Sequence, residues 1–279
     1  MRESVGWPDL WWGWVVKVKY DSQLRPGTVW LVGGGPGDPD LLTLKAERLL
    51  RRADIVFYDA LVGPGVLELI GPEAEYVSVG KRAGRHSRDQ RTIDALIVDA
   101  ARARKRVVRL KGGDPSIFGR ANEELEACRA AGIPVSICPG VTAARAAAAD
   151  LGLSLTSRGL ARRLTFVTAH TSKGAVPDVD WAALADPQAT LAVYMGKAAA
   201  AHISSGLIEA GLAPDTTVAL MENASLPVRR SFVTRLDLLP LAAKSALGDG
   251  PAVILIGEAL HGAAVARAMP AREVAHAGE

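Results

Sequence analysis

Arg109-Leu-Lys-Gly-Gly-Asp-Pro115 is the segment of this 279-residue chain whose residue types most directly imply chemistry. An apolar strand pattern from Val107 to Leu110 runs into Gly112 and Gly113, then Asp114, with Arg120 close behind. Paired glycines let bare backbone approach a ligand, because no Cβ holds it off and either sign of φ is accessible. Asp114 places a charged acceptor beside that backbone. The same Gly-Gly-Asp-Pro string also makes an ordinary surface turn, so this segment alone does not decide between binding and connection.

A second glycine turn adds weight to binding. Val29-Trp30-Leu31-Val32 reads as a buried strand and feeds Gly33-Gly34-Gly35-Pro36-Gly37-Asp38-Pro39-Asp40. Leu41, Leu42, Leu44, Ala46, Leu49 and Leu50 follow at helical spacing, with Asp38 placed to cap and Pro39 at the first helical position. A dinucleotide fingerprint fails here: Asp38 stands where the third glycine belongs, and Pro36 interrupts the turn. An acid at the mouth of that helix would repel a pyrophosphate. The turn suits a neutral or cationic ligand, and a nicotinamide oxidoreductase is set aside.

These elements need a scaffold, and the patterning supplies one. Strand-like runs at 54–58, 76–79, 107–110 and 135–138 alternate with helical patterns around Ile93–Ala100 and Glu123–Ala131, which predicts an α/β fold with a parallel-rich sheet. After Pro139-Gly140 comes an alanine-rich helix, Thr142 to Leu151, and then a second series of strands at 164–168, 191–195, 218–222, 231–234 and 253–256. Helical stretches near 198–210 and 236–247 separate some of them. The expected organisation is an arm over 1–26, an α/β domain over 27–145, a second over 146–262 and a polar tail over 263–279. The arm carries four of the six tryptophans, is interrupted by Glu3 and Asp9, and does not read as a signal peptide; it is expected to be poorly ordered.

Composition narrows the partners. Cys128 and Cys138 offer neither a disulfide framework nor metal spacing, and the five histidines show no zinc pattern, so no metal is expected. Charges interrupt every apolar run before ~18 residues, which argues against a membrane span and for the cytoplasm. Aromatic residues make up only 5% and do not interleave with the basic clusters, which argues against nucleic-acid binding.

Several motifs in one order resemble the tetrapyrrole methylase family, and within it the branch acting on uroporphyrinogen III. They are Gly33-Gly-Gly-Pro-Gly-Asp38, Tyr58-Asp-Ala-Leu-Val62, Val79-Gly-Lys-Arg-Ala-Gly84, Arg109-Leu-Lys-Gly-Gly-Asp-Pro115, Phe118-Gly-Arg120, Pro139-Gly-Val-Thr-Ala143 and Tyr194-Met-Gly196. The resemblance runs from about Thr28 to about Leu260. It implies two α/β domains with the active site in the cleft between them, a homodimer, and transfer of methyl groups from S-adenosylmethionine to C2 and C7 of uroporphyrinogen III, giving precorrin-2 and leaving S-adenosylhomocysteine. By the same resemblance the donor is held by Pro36, Gly112, Gly113, Asp114, Ile117, Thr142, Ala143, Met195, Ala224 and Ala252. Met195 has a plainer alternative as core packing after a strand.

An acceptor with eight carboxylates calls for cations. Lys81, Arg82, Arg85, His86, Arg88 and Arg91 form one cluster, Arg158, Arg162 and Arg163 another, with Arg120 and Arg229-Arg230 elsewhere, although the net charge is only +3. Arginine grips carboxylates bidentately and stays charged. Arg102, Arg104, Lys105 and Arg106 read instead as a solvated helix end. The resemblance matches Asp59 and Lys81 to positions of proton transfer and Arg158 to one near the acceptor, while Glu123 falls three residues after Arg120 on one helical face. The expected division is Arg120 and Arg158 as carboxylate clamps with Glu123, Asp59 or Lys81 at the proton step; an Arg120–Glu123 surface ion pair is the bland alternative for two of these.

Gly34 stands where the family commonly has alanine, and Glu222-Asn-Ala-Ser225 replaces the commoner Glu-Asn-Gly-Thr. An amino-terminal dehydrogenase–ferrochelatase region is not recognised, so a stand-alone methyltransferase is expected. The rival reading is a sister enzyme acting on a later corrinoid, a protein or ribosomal RNA.

Overall fold

In the computed structural model, which describes residues 24–80, 90–169 and 179–262, the first half of the chain builds one parallel sheet. Its elements are β1 (Val29–Gly33), α1 (Leu44–Arg52), β2 (Ile55–Tyr58), α2 (Pro64–Leu67), β3 (Glu75–Ser78), α3 (Gln90–Arg102), β4 (Val107–Lys111), α4 (Ala121–Ala130) and β5 (Val135–Cys138). The strand order is β3-β2-β4-β1-β5, and every pairing is parallel. Alternate strand residues point to opposite faces. Trp30, Val32, Val56 and Val108 therefore pack with Leu49, Leu50 and Val66 of α1 and α2, while Val29, Leu31, Phe57 and Val107 pack with Ile93, Ile97, Leu125 and Cys128 of α3 and α4. With both faces covered, β1 and β4 are buried along their whole length.

The first helix starts later than Asp38 and Pro39 imply. Asp38 caps only a single 3-10 turn, Pro39–Leu41, by accepting from the Asp40 amide, and Leu42 then returns to extended backbone. Thr43 caps α1 itself, its hydroxyl accepting from the Ala46 amide at 3.1 Å. Leu24, inside the expected arm, is buried among Trp30 and its neighbours. Residues 1–23 and 263–279 lie outside the described residues.

The parallel pattern does not carry over into the second half. After α5 (Ala143–Asp150) come β6 (Arg163–Thr168), α6 (Trp181–Leu184), β7 (Ala189–Tyr194), α7 (Ala200–Glu209), β8 (Thr217–Glu222), β9 (Arg230–Arg235), α8 (Leu239–Ser245) and β10 (Ala252–Ile256). They form a sheet ordered β6-β7-β10-β8-β9 in which only β6 and β7 are parallel. Helix α5 runs across position 145, and its Ala144, Ala146 and Ala147 pack on Ala192, Ala219, Val253 and Leu255 of the second sheet. Small side chains bring this helix close to the sheet it covers. Among the described residues no helix is long and apolar enough to cross a membrane.

Arg106 is not merely a solvated cation. Its backbone amide and guanidinium both donate to Asp54, from 2.5 to 3.1 Å, tying the entries of β2 and β4 together. The guanidinium holds the Asp54 carboxyl below its ordinary value of 3.8, against a smaller opposing effect of burial. A carboxylate depressed in the folded state stabilises the fold above its unfolded pKa and loses that contribution as pH falls through the folded value. Asp54→Asn is therefore expected to cost about 1 kcal/mol in urea unfolding at pH 7, with the gap to the parent closing as pH falls below the unfolded value.

Candidate active site

Three glycine turns converge at the carboxyl ends of β1, β4 and β5, the edge where open α/β sheets bind ligands. Gly34 donates to the Lys111 carbonyl at 2.7 Å, and Gly35 and Gly113 exchange backbone hydrogen bonds at 3.2 and 2.6 Å. A Cβ on Gly33 would sit 2.6 Å from Gly140 Cα, one on Gly140 would overlap the Gly113 carbonyl, and one on Gly112 would come 2.7 Å from Leu61 Cβ. These contacts exclude any other residue. Gly113 differs: it sits at φ 68, and a Cβ there would meet nothing within 4 Å, so its outer face opens on free space.

Asp114 holds this arrangement. One carboxylate oxygen accepts from the Ser116 amide at 2.7 Å and the other from the Gly140 amide at 2.9 Å, joining the β4 turn to the β5 turn. Two of its acceptor positions are thus spent on backbone, which makes it a positioning group before it is a ligand contact. Ile117 closes the same turn by donating to the Asp114 carbonyl, and Pro36 lies half-buried between Gly35 and Gly37.

Strained backbone gathers near this edge from both halves. Among non-glycine residues, Phe118, Arg120, Met195, Asn223 and Ser225 all adopt left-handed φ between 52 and 70. Such residues cost roughly 1–3 kcal/mol each and persist where surrounding contacts hold them. Met195 is 49% exposed, which removes the core-packing alternative. The strand register places Ala252 opposite Glu222, and the next residue, Val253, opposite Tyr194. Ala224 is buried and not left-handed, so alanine in place of the family's glycine carries no backbone penalty. Ser225 ties the halves: its hydroxyl accepts from the Asp38 amide at 3.1 Å, and its own amide donates to Asp150 at 2.7 Å. Thr142, just before α5, shares a short hydroxyl contact with Tyr194, and Ala143 is the first residue of that helix.

The residues nominated for acceptor and proton are partly gathered. Arg120 precedes α4, and its fork meets both oxygens of Glu123 at 2.8 and 2.6 Å, with the side chains 60% and 46% exposed. That pairing holds the Glu123 carboxyl below its ordinary value of 4.5. Both line a groove of about 350 Å³ with Pro115, Ser116, Phe118, Asn122 and Ile137. A second cavity, beneath Trp181, encloses only about 10 Å³ and is too small for a ligand. Asp59 sits at the end of β2, accepting from the Leu61 amide at 3.0 Å and lying 3.8 Å from the Arg109 guanidinium. Arg158 is exposed on the turn Ser157–Ala161 and forms no ion pair among the described residues. Lys81, with Arg82, Arg85, His86 and Arg88, lies outside the described residues. Arg163 pairs with Asp186, and Arg229 approaches Asp150 at 3.6 Å.

The sequence profile of the Tetrapyrrole (Corrin/Porphyrin) Methylases matches residues 28–240. The chain belongs to that family. It is 48% identical over 245 residues to a siroheme synthase of Tolumonas auensis, covering 88% of this chain and 52% of the relative. It is 45% identical over 232 residues to that of Gluconacetobacter diazotrophicus, covering 83% and 49%. The chain thus spans about half the length of the curated relatives it matches. Among solved structures, a uroporphyrin-III C-methyl transferase from Thermus thermophilus complexed with S-adenyl homocysteine is 41% identical, with a TM-score of 0.73 over 84% of this chain and 99% of that one. A cobalt precorrin-4 methyltransferase is 30% identical, with a TM-score of 0.75 over 84% and 96%.

Two features of this methylase escaped the reading of its sequence. Tyr194 joins the halves: its hydroxyl accepts from the Ala144 amide at 3.1 Å and meets Thr142, while its ring packs on Phe118 and Phe166 with centroids 5.2 and 5.9 Å away. In the Tyr-Met-Gly motif the sequence points to Met195, and nothing in it marks the tyrosine. Tyr194→Phe orphans the Ala144 amide, an expected loss of about 1–3 kcal/mol in thermal unfolding, while retaining the ring contacts. The other is the buried ion group formed by Arg109, Lys111 and Glu124.

Proposed function

We propose that this chain transfers methyl groups from S-adenosylmethionine to C2 and C7 of uroporphyrinogen III, giving precorrin-2. The observation that carries the reading is the packing of three glycine turns, with Gly113 open to free space, at the sheet edge met by the left-handed Met195 and Asn223–Ser225 turns. A donor enclosed by backbone and small side chains fits such a surface, and Gly112, Gly113, Thr142, Ala143, Met195, Ala224 and Ala252 are the residues to hold it. Bound there, S-adenosylmethionine supplies a methyl on a cationic sulfur that needs no protein nucleophile.

The work left to the protein is alignment and proton handling. Fixing acceptor carbon and methyl in line accounts for roughly 7–11 kcal/mol of barrier in well-oriented systems. Arg120 is the described cation best placed to grip an acceptor carboxylate, since its fork already binds one, that of Glu123. An incoming carboxylate would take the fork over and leave Glu123 unpaired. Glu123 would then regain basicity beside the bound ring, which couples substrate recognition to the proton step. Arg158 and Lys81 remain further candidates for clamp and proton transfer, as does Asp59, already engaged by Arg109.

Incubation with uroporphyrinogen III and labelled donor is the deciding experiment, with a doubly methylated product expected. Label appearing only in a later corrinoid, a protein or ribosomal RNA would overturn the assignment; the 30% identical cobalt precorrin-4 enzyme gives that alternative its weight. The family reading also supports a homodimer acting in the cytoplasm, and a solution mass twice that of one chain tests the former.

A further inference from the structure

Adjacent glutamates on α4 have opposite surroundings. Glu123 is exposed, whereas Glu124 is 0% exposed and Arg109 and Lys111 are each 4% exposed. The Lys111 ammonium donates to both Glu124 oxygens at 2.9 and 2.8 Å, and Arg109 Nε donates to Oε1 at 2.8 Å. Arg109 also donates to its neighbouring Leu110 carbonyl and approaches Asp59 at 3.8 Å, so two cations face two carboxylates. Burying one ion is costly unless partners and hydrogen bonds compensate, and here nearly every group is matched. Burial, reinforced by Arg109, lowers the Lys111 pKa from its ordinary value, and Glu124 and Asp59 offset part of that effect.

The location gives the network its role. Arg109 and Lys111 point from β4 towards the face that α4 covers, and Lys111 Cε lies 3.2 Å from where a Gly119 Cβ would stand. Gly119 sits between Phe118 and Arg120, both left-handed. The donor-side turns have separate ties, the Gly35–Gly113 backbone bonds and the Asp114–Gly140 bond.

We infer that Glu124 and Lys111 are positioning residues for the acceptor side, forming a buried ionic base plate that holds residues 118–120 and so aims Arg120. This deepens the proposed methyl transfer and rests on it for its kinetic consequence. Two variants keep the idea testable: Glu124→Gln leaves two buried cations short of a partner and endangers folding, whereas Lys111→Met retains the Arg109–Glu124 pair. For folded Lys111→Met, affinity for S-adenosylhomocysteine by calorimetry is expected to stay within about threefold of the parent, because the donor turns keep their own ties. The KM for uroporphyrinogen III is expected to rise and kcat to fall, by about 10–100-fold combined, as a misplaced clamp would give. A merely stabilising role would instead lower the melting temperature and leave KM and kcat per folded molecule unchanged. Amide exchange across 118–122 should quicken about tenfold without any substrate present, while 33–36 and 140–143 stay at the parent rate. Parent-like exchange and parent-like KM in the folded variant would overturn the inference. If the parent fails to methylate uroporphyrinogen III, the proposed function falls and the exchange pattern still decides whether the base plate exists.

Discussion

Alanine at Gly113 and alanine at Gly140 are expected to injure the protein in different ways, although both sites lie in the same cluster of turns. At Gly140 the added Cβ would overlap the Gly113 carbonyl and press on Gly33 at 2.9 Å, with rigid backbone on both sides. Overpacking of this kind costs about 1–3 kcal/mol or more, and it also displaces the amide that Asp114 holds. Gly140→Ala should therefore lower the unfolding midpoint and weaken S-adenosylhomocysteine binding together, by about 100-fold in affinity. At Gly113 the Cβ meets no protein atom, so stability should fall only by the left-handed penalty of about 1–2 kcal/mol. Its Cβ nonetheless occupies the space into which a donor would fit, and affinity should drop by about tenfold or more at nearly intact stability, as overpacking a fitted surface does. Calorimetry and thermal unfolding on both variants give the contrast. Parent-like affinity in folded Gly113→Ala would mean that the free space beside it is plain solvent and not the donor site.

Much of this arrangement is legible in the sequence. The strands around Val29, Ile55, Val107 and Val135 announced themselves as apolar runs bounded by turns, and the glycines marked where backbone must approach backbone. What the sequence hid follows from physical causes. Asp38-Pro39 is a stronger cap signature than Thr43, yet the helix obeys Thr43, because the chain first makes a turn whose Asp38 amide binds Ser225 from the other half. Arg109 and Lys111 look like the polar positions of a half-exposed strand. In fact β4 lies between β1 and β2 with helices on both faces, so its polar positions are interior too. Two cations in a central strand signal that a carboxylate must lie nearby, but only topology identifies Glu124 over Glu123. The antiparallel second sheet was equally hidden, since strand runs carry no mark of direction and the short Asn223–Arg229 link that reverses β8 into β9 reads as an ordinary loop.

Glu123→Gln should separate binding from turnover, and the direction of the split follows from the ion pair. In the structure the Arg120 fork is occupied by Glu123, so an acceptor carboxylate must compete for it. Glutamine removes the competing charge and keeps the shape, so the KM for uroporphyrinogen III is expected to hold steady or fall. If Glu123 accepts the proton once released, kcat should drop by about 10²–10⁴-fold, the usual worth of a positioned base. Arg120→Gln should do the reverse at the binding step, raising KM by about 10–100-fold through loss of a charge-assisted hydrogen bond. The pH profiles carry the same logic. Arg120 holds Glu123 below its ordinary 4.5 in the free protein, so the acid limb of kcat/KM, which reports free enzyme, should lie below that value. In the complex the guanidinium belongs to the substrate, Glu123 binds protons more readily, and the acid limb of kcat should move to higher pH. Glutamine abolishes that displacement because nothing at position 123 is left to titrate. A Glu123→Gln variant with parent-like kcat and an unchanged acid limb would take Glu123 out of the proton step and leave it as the partner that holds Arg120 ready.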